Sequence, residues 1–212
     1  MSAKIGMLTF FIFVLTSLTE SMQGQLASAE ALSREVRVMK NLDINRYLGT
    51  WYEHASNLAA KATFELGCTC STAEYSLTPG STTVDVRNSC RRRAFGEVRG
   101  KAYPVSPVSE DGIIKEARFK VDFTGSGPPS QGDLGNYWVL WTDYNYAIVG
   151  GPVPFKRLFF LSRTSHVTDD ELAVMYKHAL DAGVLPVELL PPFLVRTDQD
   201  PYHCRDETEA TR

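Results

Sequence analysis

From Trp51 to Ser162, apolar and polar residues alternate in short runs separated by turn-forming residues. This is the pattern of strands that bury one face. Lys115 to Phe123 is the cleanest run: Ala117, Phe119, Val121 and Phe123 share one face, and Arg118, Lys120 and Asp122 share the other. Glu97 to Ala102 behaves alike, with Val98, Gly100 and Ala102 together. Thr69–Leu77 and Thr82–Arg91 read as a hairpin joined by Thr78-Pro79-Gly80-Ser81, a tight-turn composition. Trp51–Leu58, Tyr137–Trp141, Tyr146–Val149 and Leu158–Ser162 complete a series of about eight strands. In Tyr137–Trp141 both faces are apolar, so the inward face is undecided. Thr124 to Gly135 is a Gly/Pro/Ser loop.

The period changes once. Thr168-Asp169-Asp170-Glu171 has capping-box spacing, Leu172, Met175, Tyr176 and Ala179 follow at helical intervals, and Gly183 is placed to end the helix. Strands at regular spacing followed by one late, one-sided helix predict an all-β fold. The expected architecture is an eight-stranded antiparallel up-and-down barrel with a C-terminal α-helix packed outside. A barrel of that size holds one small ligand.

With 212 residues, 43% of them apolar and 22% charged, the chain suits one globular domain. Its net charge of −3 argues against nucleic acid as a partner. The first residues change the picture more. After Lys4, Ile5 to Leu15 is uncharged and apolar, the next charge is Glu20, and Ala27-Ser28-Ala29 has a small-x-small pattern. This predicts a signal peptide within residues 1–29, cut between 21 and 29, and a single domain over 30–212 with a polar leader. An uncleaved anchor is the competing reading. No cysteine precedes Cys68, so no lipid-modified N-terminal cysteine is expected. The expected location is secreted, or the lumen of the secretory pathway, where paired cysteines persist.

Three separated motifs go beyond a generic barrel. They are Gly49-Thr50-Trp51-Tyr52-Glu53 after Asn41–Leu48, then Thr142-Asp143-Tyr144, then Arg163 closing Leu158–Ser162. In this order they resemble the lipocalin family: a G-x-W at the first strand, a T-D-Y turn between late strands, and an arginine ending the last barrel strand. Phe64-Glu65-x-Gly67, Cys70, Tyr75-Ser76-Leu77 and Tyr137-Trp138-Val139-Leu140 are similar to the branch that holds apolipoprotein D, bacterial lipocalins and plant chloroplast lipocalins. Cys68-x-Cys70 with Cys90 and Cys204 most resembles the chloroplast type. The resemblance implies that Gly49, Trp51, Thr142, Asp143, Tyr144 and Arg163 close one end of the barrel, with the Arg163 guanidinium over the Trp51 indole.

It also implies a cavity, whose expected lining is Val98, Ala102, Phe119, Val121, Phe123, Phe159 and Leu161. The competing reading is that these side chains fill the interior. Each buried methylene contributes about 0.8 kcal/mol, so a ten-carbon chain gains roughly 8 kcal/mol before the loss of its freedom. The expected partner is therefore a small hydrophobic molecule such as a fatty acid, an isoprenoid or an oxidised lipid. No cofactor is expected.

Centring the hairpin on Pro79-Gly80 makes Cys90 a near partner of Cys68, which leaves Cys70 to Cys204, a pairing the resemblance also implies. Three connectivities remain open. Strand parity opposes the first pair unless a bulge lies at Gly67 or near Ser89. Cys68, Cys70 and Cys90 as zinc thiolates is the alternative, disfavoured by x-one spacing and by export, so no metal is expected. His54, His166, His178 and His203 are scattered, and no G-x-S-x-G, Walker loop or H-E-x-x-H is present. His54 opposes Trp51 in parity, which discounts it as a haem ligand. Arg91-Arg92-Arg93 reads as a solvated strand end that could touch an anionic headgroup or membrane surface. The reading is a ligand-binding protein and not an enzyme, for transport, sequestration or membrane-lipid protection. The alternatives are an isomerase-like or epoxide-opening enzyme on a bound lipid, and a protein-binding module using loops 58–65 and 124–135.

Overall fold

Eight antiparallel strands close on themselves, with one extra strand on an edge. The structure is a computed structural model that describes residues 35–92, 95–155 and 157–204. The expected signal segment falls outside the described residues, as does Arg93. In chain order the elements are β1 (Lys40–Asp43), α1 (Ile44–Tyr47), β2 (Gly49–Asn57), α2 (Leu58–Lys61), β3 (Thr69–Leu77), β4 (Val84–Arg91), β5 (Phe95–Pro104), β6 (Ile113–Glu116), β7 (Arg118–Asp122), β8 (Tyr137–Thr142), β9 (Tyr146–Gly150), β10 (Phe159–Ser162), α3 (Asp169–Asp181) and β11 (Leu194–Arg196). The sheet runs β10-β9-β8-β7-β5-β4-β3-β2-β11, and β10 also pairs with β2, which closes the barrel.

Two details differ from the sequence pattern. The run from Lys115 to Phe123 is divided at Ala117, because β6 leaves the barrel to pair with β1, while β7 pairs with β5 and β8. The residues before Gly49 are not merely a polar leader: Leu42 and Ile44 are buried, and the Asp43 side chain caps α1. This segment crosses one end of the barrel.

Helix α3 carries the full capping box, with Thr168 N–H donating to the Glu171 carboxylate at 2.7 Å. Its buried residues are Leu172, Met175 and Ala179. Tyr176 meets Phe160 edge-on at 5.2 Å, and His178 stacks on Trp141 at 3.9 Å. The helix therefore covers the outside of β8 to β10, as its one-sided pattern requires.

β2 pairs with β3 only over Gly49–Tyr52. Beyond that point the two strands separate and the C-terminal arm fills the gap. β11 pairs with Ala55–Asn57, Thr197 N–H donates to the His54 carbonyl, and the Gln199 amide donates to the carbonyls of Glu53 and Ser71. Both disulfides act here: Cys68–Cys90 joins the residue before β3 to β4, and Cys70–Cys204 holds the arm. The parity conflict at Cys68 and Cys90 is removed by a register shift between Thr69 and Thr72, where Cys70 takes φ +54°. The extra residue thus lies in β3 at Cys70-Ser71, beside the Thr72–Ser89 pair, and not at Gly67.

Candidate functional site

The closed end is built around Trp51, which is fully buried. Its indole N–H donates to the Tyr47 carbonyl at 2.9 Å. The Arg163 guanidinium lies 3.8 Å from the ring centroid. It donates to three carbonyls, those of Thr50 (2.8 Å), Arg46 (2.9 Å) and Tyr144 (3.1 Å). Gly49 has φ +93°, and a Cβ there would lie 3.3 Å from the guanidinium, so a side chain is disfavoured twice. In the turn, Thr142 Oγ1 donates to the Tyr146 carbonyl and accepts from Tyr144 N–H, and Asp143 accepts from the N–H groups of Asn145 and Tyr146. Tyr144, at φ +74°, accepts from Asp43 N–H through its hydroxyl and lies under the Arg46 guanidinium at 3.8 Å. Gly49, Trp51, Thr142, Asp143, Tyr144 and Arg163 are thus one connected plug.

Above the plug lies a hollow lined by Ile44, Tyr47, Leu48, Tyr75, Val84, Ala102, Phe119, Val121 and Tyr137. About 320 Å³ of it is free of protein atoms, the part open to solvent included, and only about 20 Å³ has room for the centre of a water molecule. Three tyrosines meet on its wall. The Tyr137 hydroxyl lies 2.9 Å from that of Tyr47 and 3.1 Å from that of Tyr75. Burial pushes all three phenols up, Tyr75 to about 12, so all are neutral hydrogen-bonding groups at physiological pH.

A family model described as a lipocalin-like domain matches residues 42–191, well over half of the chain. The chain is a lipocalin. Apolipoprotein D from Mus musculus is 33% identical over 177 residues, covering 80% of this lipocalin and 82% of that protein. Outer membrane lipoprotein Blc from Escherichia coli K12 is 35% identical over 156 residues, covering 71% and 80%. Temperature-induced lipocalin-1 from Arabidopsis thaliana is 29% identical over 152 residues, covering 71% and 78%. Among solved structures, insecticyanin from the tobacco hornworm Manduca sexta shares the fold with a TM-score of 0.53 at 18% identity, covering 81% of this chain and 88% of its own. Per a 4 from cockroaches does so with a TM-score of 0.54 at 19% identity, covering 76% and 91%. The family binds small hydrophobic ligands.

Of the residues singled out as lining, this lipocalin places Ala102, Phe119 and Val121 on the wall of the hollow. Val98 is 45% exposed, because β5 runs past β7, whose pairing reaches only Lys101–Pro104. Phe123 is 42% exposed and lies across Gly100, where a Cβ would stand 2.5 Å from its ring. The glycine makes room for that ring and leaves no empty volume. Leu161 is buried and Phe159 half-buried, 6.3 Å from Phe64, and neither is on the wall. The tyrosines are what sequence reasoning missed. Tyr47 carried no periodic signal, and Tyr137 stands in the strand whose two faces are both apolar.

All four cysteines are in disulfides. His54 lies outside the barrel wall, with Nε2 2.9 Å from Ser162 Oγ and 3.0 Å from the Thr164 carbonyl. Arg91 and Arg92 donate to the carbonyls of His203 and Phe64, which ties that strand end to the arm and to the β2–β3 loop.

That loop carries a buried charge cluster. Lys61 Nζ lies 2.7 Å from Glu53 and 3.0 Å from Glu65, and the hydroxyls of Thr197 and Ser56 donate to Glu53 and Glu65 respectively. One cation faces two carboxylates. Burial works to raise Glu53, but Lys61 and the hydrogen bonds outweigh it and hold that carboxyl below its ordinary value. Burial, with the Glu53 charge beside it, pushes Glu65 up to about 7. The native state therefore binds one more proton than the unfolded chain between about pH 4.5 and 7, so this site's contribution falls as pH rises through that window. The expected slope is at most about 1.4 kcal/mol per pH unit. Urea midpoints at pH 5, 6 and 7 should decline in the native protein and flatten in Glu65→Gln. Equal slopes in the two proteins would rule the assignment out.

Proposed function

We propose that this lipocalin is an exported carrier that takes one small hydrophobic molecule into the hollow above Trp51. The ligand class is a fatty acid, an isoprenoid or an oxidised lipid, and the role is transport, sequestration or protection of membrane lipid. The observation that carries this reading is the apolar hollow at the closed end, lined by Val84, Ala102, Phe119 and Val121 beside three tyrosines. Its free room is about that of one water molecule, so a ligand enters by turning side chains aside. The disulfides support export. Residues 1–29 as a signal peptide belong to the same proposal.

Titration with N-phenyl-1-naphthylamine, a neutral fluorophore, tests it. Saturable one-site binding in the micromolar range is expected, given about 8 kcal/mol from a ten-carbon surface less the cost of lost freedom. Ala102→Phe, which occupies the hollow, should weaken binding at least tenfold while far-UV circular dichroism stays native. Non-saturable binding, or unchanged affinity in the folded variant, would remove the hollow as the site.

A further inference from the structure

Four large apolar side chains stand in solvent beyond the end of β2 that lies opposite the plug. Leu58, Phe64, Leu66 and Phe193 are between 44% and 66% exposed. They are gathered in one place. Leu58 N–H donates to the Phe193 carbonyl at 2.8 Å, which sets the arm against the β2–β3 loop. The loop itself is tightly wound: Ala62 N–H donates to the Leu58 carbonyl, Glu65 N–H to that of Ala60 and Cys68 N–H to that of Glu65. The Glu65 side chain is turned in to Lys61 and Ser56, while Phe64 and Leu66 on either side of it are left outside.

The charge set against Phe64 is positive. The Arg157 guanidinium lies 5.5 Å from its ring centroid, and Arg92 donates to its carbonyl at 2.8 Å. Both arginines are exposed. A guanidinium has five N–H donors, so each keeps donors for phosphate oxygens. The acids of the loop and the arm are engaged elsewhere. Glu53 and Glu65 are buried against Lys61, Glu188 accepts from Leu185 N–H, and Asp198 faces His203. Arg91, at the strand end that the sequence singles out, donates instead to the His203 carbonyl.

The size of the patch separates two kinds of partner. Half-exposed, four such side chains offer on the order of 400 Å² of apolar area, about half of the ~800 Å² per partner that a stable protein interface buries. Apolar side chains with arginines beside them suit the boundary between lipid headgroups and acyl chains, which needs no matching shape. A chain of net charge −3 is repelled as a whole by an anionic surface, so the two arginines act only when turned towards it, within about 10 Å.

We infer that the β2–β3 loop, with Phe193 of the arm, is a docking surface for an anionic phospholipid bilayer. Phe64 and Leu66 enter the headgroup boundary, and Arg92 and Arg157 take lipid phosphates. The inference does not depend on what occupies the hollow.

Co-sedimentation with vesicles tests it, using phosphatidylcholine alone and phosphatidylcholine with about a third phosphatidylglycerol, at roughly 0.1 M salt. The native protein should bind the mixed vesicles at least tenfold better than the neutral ones, and the preference should fade at about 0.5 M salt. Phe64→Ser/Leu66→Ser should lose about tenfold or more on the mixed vesicles. Arg157→Glu should lose about tenfold there and leave binding to neutral vesicles unchanged. Lys177→Glu, on the exposed face of α3, makes the same change in net charge and should stay within about twofold of native. All these positions are exposed, so far-UV circular dichroism should stay native.

Equal binding to the two vesicles, full binding by Phe64→Ser/Leu66→Ser, or a loss in Lys177→Glu as large as in Arg157→Glu overturns the assignment. Absence of binding to either composition overturns it in favour of a protein partner. A sedimentation-equilibrium dimer that Phe64→Ser/Leu66→Ser abolishes overturns it in favour of a second copy of this chain. Titration with N-phenyl-1-naphthylamine in vesicle-free buffer reads the hollow separately, so the two failures are distinguishable.

Discussion

Trp51→Ala is expected to lower the stability of this lipocalin by about 3–5 kcal/mol, the range for truncating a large aromatic in a core that can relax only in part. The indole is fully buried and is joined to three structural elements at once. Its N–H holds the Tyr47 carbonyl at the end of α1, its lower face carries Arg163 from the end of β10, and its own backbone belongs to β2. Removing it opens the plug and frees Arg163 from the face that orients it. Urea denaturation measures the loss. A double-mutant cycle with Arg163→Ala should return a coupling of about 0.5–2 kcal/mol for the cation–π contact. A loss below 1 kcal/mol for Trp51→Ala would mean that the plug does not carry the closed end.

The second large effect concerns the arm. Cys70→Ser/Cys204→Ser should destabilise the protein by about 4–5 kcal/mol, since the bridge closes 134 residues of chain. Cys68→Ser/Cys90→Ser closes only 22 residues, in a hairpin that β-pairing already holds, and should cost less by about 1.5 kcal/mol. The two should also differ in place. Without Cys70–Cys204 the arm loses its anchor, so β11, Thr197 and Gln199 detach from the opening between β2 and β3. Glu53 then loses a hydrogen bond in its buried cluster. Hydrogen exchange should quicken at the amides of Leu194 to Thr197 in that variant and stay slow in the other. Equal losses and equal exchange would show that the arm is held by its hydrogen bonds and not by the bridge.

How far the sequence reached depends on which physical signal each part sends. Period-two alternation exposes one buried face directly, so the strand series, the barrel and the one-sided α3 were legible. The T-D-Y turn and the G-x-W entry were legible because each needs particular side-chain oxygens or a positive φ at fixed spacing. The bulge at Cys70-Ser71 was not, since a single inserted residue inverts parity without changing composition. Val98 was misplaced because alternation tells which face a residue takes and not whether a neighbouring strand extends far enough to cover it. Tyr137 was invisible for the opposite reason: Tyr137 to Trp141 is apolar on both faces, and a register shift between Val139 and Trp141 turns Trp138 to Arg118 and Trp141 to α3 while Tyr137 lines the hollow. The arm's insertion between β2 and β3 depends on pairing between distant segments, which no local pattern carries.

A hydrophobic ligand is expected to sit in the hollow above Trp51. Nuclear Overhauser contacts between unlabelled N-phenyl-1-naphthylamine and isotope-labelled protein test it most directly. Contacts are expected from the ligand to the methyls of Val84, Ala102 and Val121 and to the rings of Tyr47, Tyr75 and Tyr137. Contacts confined to the exposed Leu58, Phe64 and Leu66, or none at saturating ligand, would contradict it.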